Sequence, residues 1–453
     1  MFGRKNKKKT EDSLTPGDMG PPVSFKAVGG DRNQNEANLI KVRQSPGIVT
    51  AKELFFDVIQ KGSRRILLDF SRQAVAGGFD VDGIMQRIAP MDRPTGDTML
   101  AVLKTLANLN VRERQARQDG SFSVRLDNEQ LNCTLTSQGT KTGERVLIKL
   151  EPKDQVLTSL EDLGMREKMV AQFKTLIGRP LGDEVPPPVK GLFVISAPAT
   201  GGMSTIWRVA LGTTDRYMNS CVCLDSETLT EPEIENVRTV TYDPKDVAEL
   251  QQIMTKLFRE QHDMYLFPRM PNREILDVLC QQILDEDIVV FVGVNASDSA
   301  EALLRIKSLN PNPEKFSQVA TAALNMRLVR RLCENCKQAY RPNPALLQKL
   351  GIPPDRISTL YREWQPPPPG EEKKGEPEVC PECNGVGFRG RIGVFELLEV
   401  NDQIRKALVQ QPQLNLIRQL SQKAGMHTLQ QEGIAALVRG TTTVQELQRA
   451  MKK

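Results

Sequence analysis

Aromatic side chains are scarce in this chain of 453 residues: they make up 5% of it, with five tyrosines and two tryptophans. Proteins that bind nucleic acid by stacking bases need such rings on a basic surface, and the charge is wrong for that class too. The net charge is +5, but Arg4, Lys5, Lys7, Lys8 and Lys9 account for all of it, and the rest of the chain is formally neutral. Long apolar runs are missing as well. No stretch approaches the roughly 18 apolar residues of a membrane span, and the basic start lacks the apolar segment of a secretory signal. Histidine is nearly absent, with only His262 and His427, neither at ligand spacing to the cysteines. An apolar content of 39% and a charged content of 26% describe an ordinary globular protein, long enough for two or three domains.

Of the eight cysteines, four form two C-x-x-C pairs, Cys333/Cys336 and Cys380/Cys383, separated by 43 residues. This pattern suits a reducing compartment and one closed four-thiolate Zn²⁺ site with a folding role, rather than a disulfide framework. Four unligated thiols packed as small hydrophobes are the other reading.

Residues 1–46 are rich in Lys, Asn, Gly, Pro and Asp and read as a disordered basic tail, either solvated or in contact with an anionic membrane surface. Residues 47–150 read as an α+β domain, with helices over 50–60 and 99–109 and strands over 66–70, 122–126, 131–135 and 146–150. A helical linker with a Pro-rich hinge at Pro186–Pro188 spans 151–190. From 191 to 327 strands alternate with helices, which argues a parallel sheet flanked by helices. A tetracysteine region follows at 328–400, with a flexible insertion at 365–378, and helices with turns at Gly425 and Gly440 occupy 401–453.

The apolar run Gly191–Ile195 leads into Ser196-Ala-Pro-Ala-Thr-Gly-Gly-Met-Ser204 and Thr205. A strand, a turn of small residues and a helix start are what a phosphate-binding loop needs, because backbone N–H groups there wrap phosphate oxygens. Set against G-x-x-x-x-G-K-[ST], the second glycine is Gly202 and the hydroxyl is Ser204. Ala197 stands for the first glycine and Met203 for the lysine. Candidate nucleotide contacts are therefore Ala197, Thr200, Gly201, Gly202, Ser204 and Thr205, with no cation at position 203 to reach a β- or γ-phosphate.

Further segments stand in a fixed order around this loop: Arg112-Glu-Arg-Gln-Ala-Arg-Gln-Asp-Gly120, Gly143–Leu150, Leu328-Val-Arg-Arg-Leu-Cys-Glu-Asn-Cys336, Cys380-Pro-Glu-Cys383 and Gly387–Leu397. In this order they resemble the secretion ATPase family of type II secretion and type IV pilus assembly, from about Ile48 to the end. The resemblance implies a RecA-like P-loop domain preceded by a PAS-like α+β domain and followed by a zinc-knuckle and helical region. It implies ATP with Mg²⁺ as cofactor, weakened here, and hexameric rings at the cytoplasmic face of the inner membrane, docked beneath a platform protein. Because the chain begins at the family's second domain, its docking is expected to differ, the basic tail being a candidate.

The same resemblance shows what is altered. Asp225, in Cys221-Val-Cys-Leu-Asp-Ser-Glu227, keeps at best one of the acids that organise Mg²⁺ and water. Where the family has an acidic strand end whose Glu polarises water, this chain reads Asp263-Met-Tyr-Leu-Phe-Pro-Arg-Met-Pro-Asn272; Asp263 matches, while Pro268 and Arg269 replace the Gly and the Glu. The two histidine positions fall at Asp287 and at Val294 or Asn295, and the basic nucleotide contacts of the first domain are lost from Gly77–Gly83. Arg112, Arg114 and Arg117 match arginines that face the nucleotide or a neighbouring subunit, or else form a solvated basic face. The expectation is a pseudo-ATPase, a subunit or regulator entering a ring with itself or with an active paralogue. A slow, genuine ATPase is the alternative.

Overall fold

The computed structural model describes residues 15–152, 157–178, 189–227, 231, 233–353, 355, 357–365 and 379–452. Residues 1–14 of the basic tail, the Pro186–Pro188 hinge and nearly all of the 365–378 insertion lie outside these. The chain divides into two compact units, one of residues 1–156 with 366–390, the other of 157–365 with 391–453.

The first unit is built on a seven-stranded antiparallel sheet. Its elements run β1 (Val23–Ala27), α1 (Arg32–Gln44), α2 (Gly47–Gln60), β2 (Arg65–Phe70), β3 (Ala74–Val81), β4 (Ile84–Asp92), α3 (Arg93–Leu106), β5 (Gln118–Leu126), β6 (Glu129–Thr140) and β7 (Gly143–Pro152). The strand order is β1-β5-β6-β7-β2-β3-β4. Alternation makes one face apolar: in β6, Leu131, Cys133 and Leu135 are buried between exposed or half-buried neighbours. That face packs with Ile48, Phe55 and Val58 of α2 and Met99, Leu103 and Leu106 of α3 in one core. Part of the supposed disordered tail is folded. β1 pairs antiparallel with β5, Val23 opposite Leu126. α1 is capped by the Asp31 side chain accepting from the Gln34 N–H and buries Val42.

In the second unit, α4 (Glu167–Leu176) precedes an alternating series: β8 (Gly191–Ala197), α5 (Met203–Gly212), β9 (Cys221–Ser226), β10 (Arg238–Tyr242), α6 (Val247–Arg259), β11 (Met264–Phe267), α7 (Arg273–Asp285), β12 (Val289–Asn295), α8 (Ser299–Lys307), α9 (Pro313–Val319) and β13 (Ala320–Leu332). β14 (Gln338–Tyr340), α10 (Pro344–Lys349), β15 (Leu360–Arg362), β16 (Phe388–Glu399), α11 (Asp402–Gln410), α12 (Leu414–Lys423), α13 (Leu429–Val438) and α14 (Val444–Met451) follow. The main sheet has the order β10-β9-β11-β12-β8-β13-β16, and the pairings from β10 to β13 are parallel.

Both faces of the sheet's centre are covered, so β8, β9 and β11 are buried throughout rather than alternating, while the edge strand β10 is mostly exposed. Within β8, Leu192 and Val194 join the core under α6 to α9, while Phe193, Ile195 and Ala197 join the core of α4 and α5. Two readings change here. The linker is helical only over Glu167–Leu176 among the described residues, and Leu328–Leu332, assigned to the cysteine region, is the end of the long strand β13.

Candidate functional site

In a parallel sheet the loops at the carboxyl ends of the strands gather on one edge, where ligands bind. Here that edge carries the turn Pro198–Gly202, the end of β9 at Asp225, the Pro268-Arg269 pair after β11, and the end of β12 at Gly293–Asn295. The turn is tight: the Gly201 N–H donates to the Pro198 carbonyl at 2.8 Å. Thr200 has φ 61° and Gly202 φ 91°, both left-handed. Gly202 is the N-cap of α5, and its left-handed φ is what calls for glycine there, the nearest atom to an added Cβ being only the end of the flexible Met326 side chain. Ser204 is exposed, with Thr205 half-buried in the same first turn. The backbone therefore has the shape of an anion cradle at a helix start.

The side chain in the lysine position points elsewhere. Met203 is half-buried and packs against the core of α4 and α5. Its methyl lies 2.9 Å from where a Cβ on Gly293 would be, and the Pro268 carbonyl oxygen is 2.3 Å from that same point. Met203, at the start of α5, thus meets Gly293 and the Pro268 carbonyl in a close junction at the ends of β12 and β11. Asn325, on β13, is fully buried and donates to Ser196 Oγ at 2.8 Å and to the Ala296 carbonyl at 3.2 Å.

Arg269 has acquired partners. Its guanidinium is 3.6 Å from the Asp225 carboxylate and donates to Glu231 at 2.9 Å. Asp225 is 3% exposed, and its oxygens already accept the Ser226 N–H at 2.8 Å and the Glu231 N–H at 2.6 Å. Burial, then the charges of Asp225 and Glu231, pushes the neighbouring Cys223 thiol up to about 12, so it stays protonated and is no nucleophile. Burial and Asp225 likewise push the Tyr242 hydroxyl up. In the segment after β11, Asn272 caps α7, accepting the Ile275 N–H at 2.9 Å.

Asp263, matched to the site by its sequence position, lies elsewhere. It precedes β11 instead of ending it, and accepts the Ser220 N–H at 2.7 Å at the start of β9, on the opposite edge of the sheet. It is no part of this site, and neither is Asp287, which precedes β12 and pairs with Lys190 at 3.4 Å. Asn295, by contrast, stands opposite Ala197 on the site edge.

Mg²⁺ with a water-polarising acid does not fit these residues. Asp225 is engaged by two backbone donors and a guanidinium, and the other acid of the pair, Glu231, is held by the same Arg269. Glu231 escaped the sequence reading. It is one of several acids in Glu227–Glu235, and nothing local marks which one would meet Arg269.

In the first unit, Arg112, Arg114 and Arg117 are exposed on a loop that is held firmly in shape. Buried Lys104 donates to the Glu113 carbonyl at 2.6 Å and pairs with buried Glu144 at 2.5 Å. Glu113 accepts the N–H groups of Gln115 and Ala116, which hold its carboxyl below the usual carboxylate range. Arg114 pairs with Asp97 at 3.3 Å, and Arg117 with Asp119 at 2.9 Å.

The sulfurs of Cys333, Cys336, Cys380 and Cys383 all lie within 4.8 Å of one another. Each pair sits on a tight turn: the Cys336 N–H donates to the Cys333 carbonyl at 3.3 Å, and the Gly387 N–H to the Cys383 sulfur at 3.3 Å. A tetrahedral Zn²⁺ with sulfurs at about 2.3 Å fits this donor set.

A parallel sheet flanked by helices, with a small-residue turn opening a helix at the end of a central strand, defines a P-loop fold of the secretion ATPase type. The Yersinia pseudotuberculosis ATPase DotB has that fold, with a TM-score of 0.54 at 11% identity over 88% of this chain and 92% of that one. The family model described as Type II/IV secretion system protein matches residues 42–449, and the chain belongs to that family. It is 25% identical to the type IV pilus assembly ATPase PilB of Thermus thermophilus over 81% of this chain and 39% of that protein. It is also 25% identical to the type II secretion system protein E of Dickeya dadantii, over 96% of this chain and 82% of that one.

Proposed function

We propose that this chain is a catalytically impaired member of its family, a subunit or regulator of a type II secretion or type IV pilus machine. The observation that carries the reading is Arg269. A guanidinium stands where hydrolysis needs a proton acceptor, and it is bound to the acids Asp225 and Glu231. A positioned general base contributes about 10²–10⁴ in rate, and a charge-assisted hydrogen bond of the kind a lysine at position 203 would make contributes about 1.5–3 kcal/mol. Both are missing, while the loop backbone that shapes the site is intact.

In this reading the chain enters a ring, with an active paralogue or with itself, through surfaces that include Arg112, Arg114 and Arg117. It acts at the cytoplasmic face of the inner membrane beside a platform protein, without nucleic acid, and holds a structural Zn²⁺ at its four cysteines. No helix among the described residues is long and apolar enough to cross a membrane. The test is phosphate release by the purified protein. Negligible turnover is expected; a steady rate that follows the protein through purification and disappears in Ser204→Ala would establish the slow motor instead.

A further inference from the structure

The impaired site raises the question of what balances its acids, and the following rests on reading this sheet edge as an altered nucleotide site. Asp225 and Glu231 approach each other because the Glu231 N–H donates to Asp225 at 2.6 Å. Two carboxylates so placed, one of them 3% exposed, need a cation between them. In an oxygen-lined site of this kind the usual answer is a divalent ion. Here the chain brings its own cation. Arg269 reaches one acid at 3.6 Å and the other at 2.9 Å, from a backbone fixed by the junction of Pro268 with Gly293 and Met203.

We infer that Arg269 is a built-in replacement for a divalent cation, closing the Asp225–Glu231 pair against Mg²⁺ so that the site works metal-free. An incoming ion would have to displace a guanidinium from both acids. It would gain at Asp225 a carboxylate whose two oxygens already serve backbone N–H groups. The guanidinium's planar fork suits it to bridge two carboxylates, whereas a single ammonium offers a point charge.

The probe is Mn²⁺, followed by electron paramagnetic resonance on the full chain with its cysteine site loaded with Zn²⁺. The wild type is expected to show no saturable Mn²⁺ site that depends on Asp225. Arg269→Gln should open one site, at least tenfold tighter than any wild-type binding, and adding Asp225→Asn should abolish it. Arg269→Met, which keeps the aliphatic stem, replaces the Gln variant if that one does not fold. Wild-type Mn²⁺ binding that Asp225→Asn removes would overturn the inference, as would folded Arg269 variants that bind no Mn²⁺. Phosphate release measured on the same samples separates the two readings. Hydrolysis without a metal site removes the proposed impairment and leaves the inference standing, whereas a wild-type metal site without hydrolysis does the reverse.

Discussion

Replacing Met203 with Lys puts the missing charge back, and the structure says how little that alone achieves. A lysine on the first turn of α5 adds one charge-assisted contact to a bound phosphate, about 1.5–3 kcal/mol or roughly ten- to hundredfold in affinity. The lower end is expected here. The side chain at 203 runs to the junction of Gly293 and the Pro268 carbonyl, and an ammonium there donates to that carbonyl in competition with phosphate. Turnover should stay negligible, because Arg269 still fills the acid position and no proton acceptor has been restored. Adding Arg269→Glu supplies a carboxylate but leaves three acids together, since Asp225 and Glu231 lose their counter-charge. At about 4 Å and an effective dielectric near 20, each such repulsion is worth about 4 kcal/mol, so the double variant should need Mg²⁺ both to fold this edge and to hydrolyse. A fluorescent nucleotide titration measures the first effect and phosphate release the second. Steady hydrolysis by Met203→Lys alone would refute the reasoning, and so would a folded Met203→Lys protein with unchanged nucleotide affinity.

Elemental analysis should find one Zn²⁺ per chain, with Cys380→Ser losing the metal and lowering the melting temperature; no stoichiometric metal in the wild type would rule the site out. Glu446 is fully buried between Arg330 at 2.9 Å and Arg449 at 2.6 Å, so Glu446→Gln should cost about 3 kcal/mol, the lower end for breaking a buried pair, read by urea unfolding. Burial alone would push the Glu446 carboxyl up, but the bonds from Arg449 and Arg330 hold it below the usual range. Its stabilisation is therefore present above the unfolded value of about 4.3 and is lost as pH falls through the lower folded value, so the gap between wild type and variant should close in acid. Arg114→Glu with Arg117→Glu should weaken association with an active paralogue in light scattering. Since both arginines are exposed and their pairs with Asp97 and Asp119 lie at the surface, monomer stability in urea unfolding should be little changed.

The parallel sheet was legible in outline. Fully buried strands are short apolar runs closed by turn residues, and the alternation of strands and helices expected over 191–327 appears in β8 to β12. Local composition failed where tertiary contacts decide. α1 is polar nearly throughout, with only Asn38 and Val42 buried, and β1 is held by pairing with a strand about a hundred residues away. The misplaced Asp263 has a related cause. A motif match counts residues along the chain, but the four residues of β11 separate Asp263 from the site edge by the full height of the strand, about 13 Å. Met203 and Arg269 were found because they occupy positions where a motif demands other chemistry. Their new partners, Gly293 and Glu231, carry no such signal.

Those partners bear on how the site should be understood. A nucleotide site that had simply lost its lysine and its acid would keep a buried Asp225 with no counter-charge, and an unpaired buried carboxylate is among the more destabilising defects a fold can carry. This edge has no such defect. The position of the lost lysine is filled by a methyl group seated over Gly293, and the position of the lost acid carries the cation that Asp225 and Glu231 need. Each replacement satisfies its surroundings, and Arg269 does so by the same bonds that remove the proton acceptor. On the proposed reading of an impaired ATPase, the arrangement supports the structure of the edge at the expense of its chemistry.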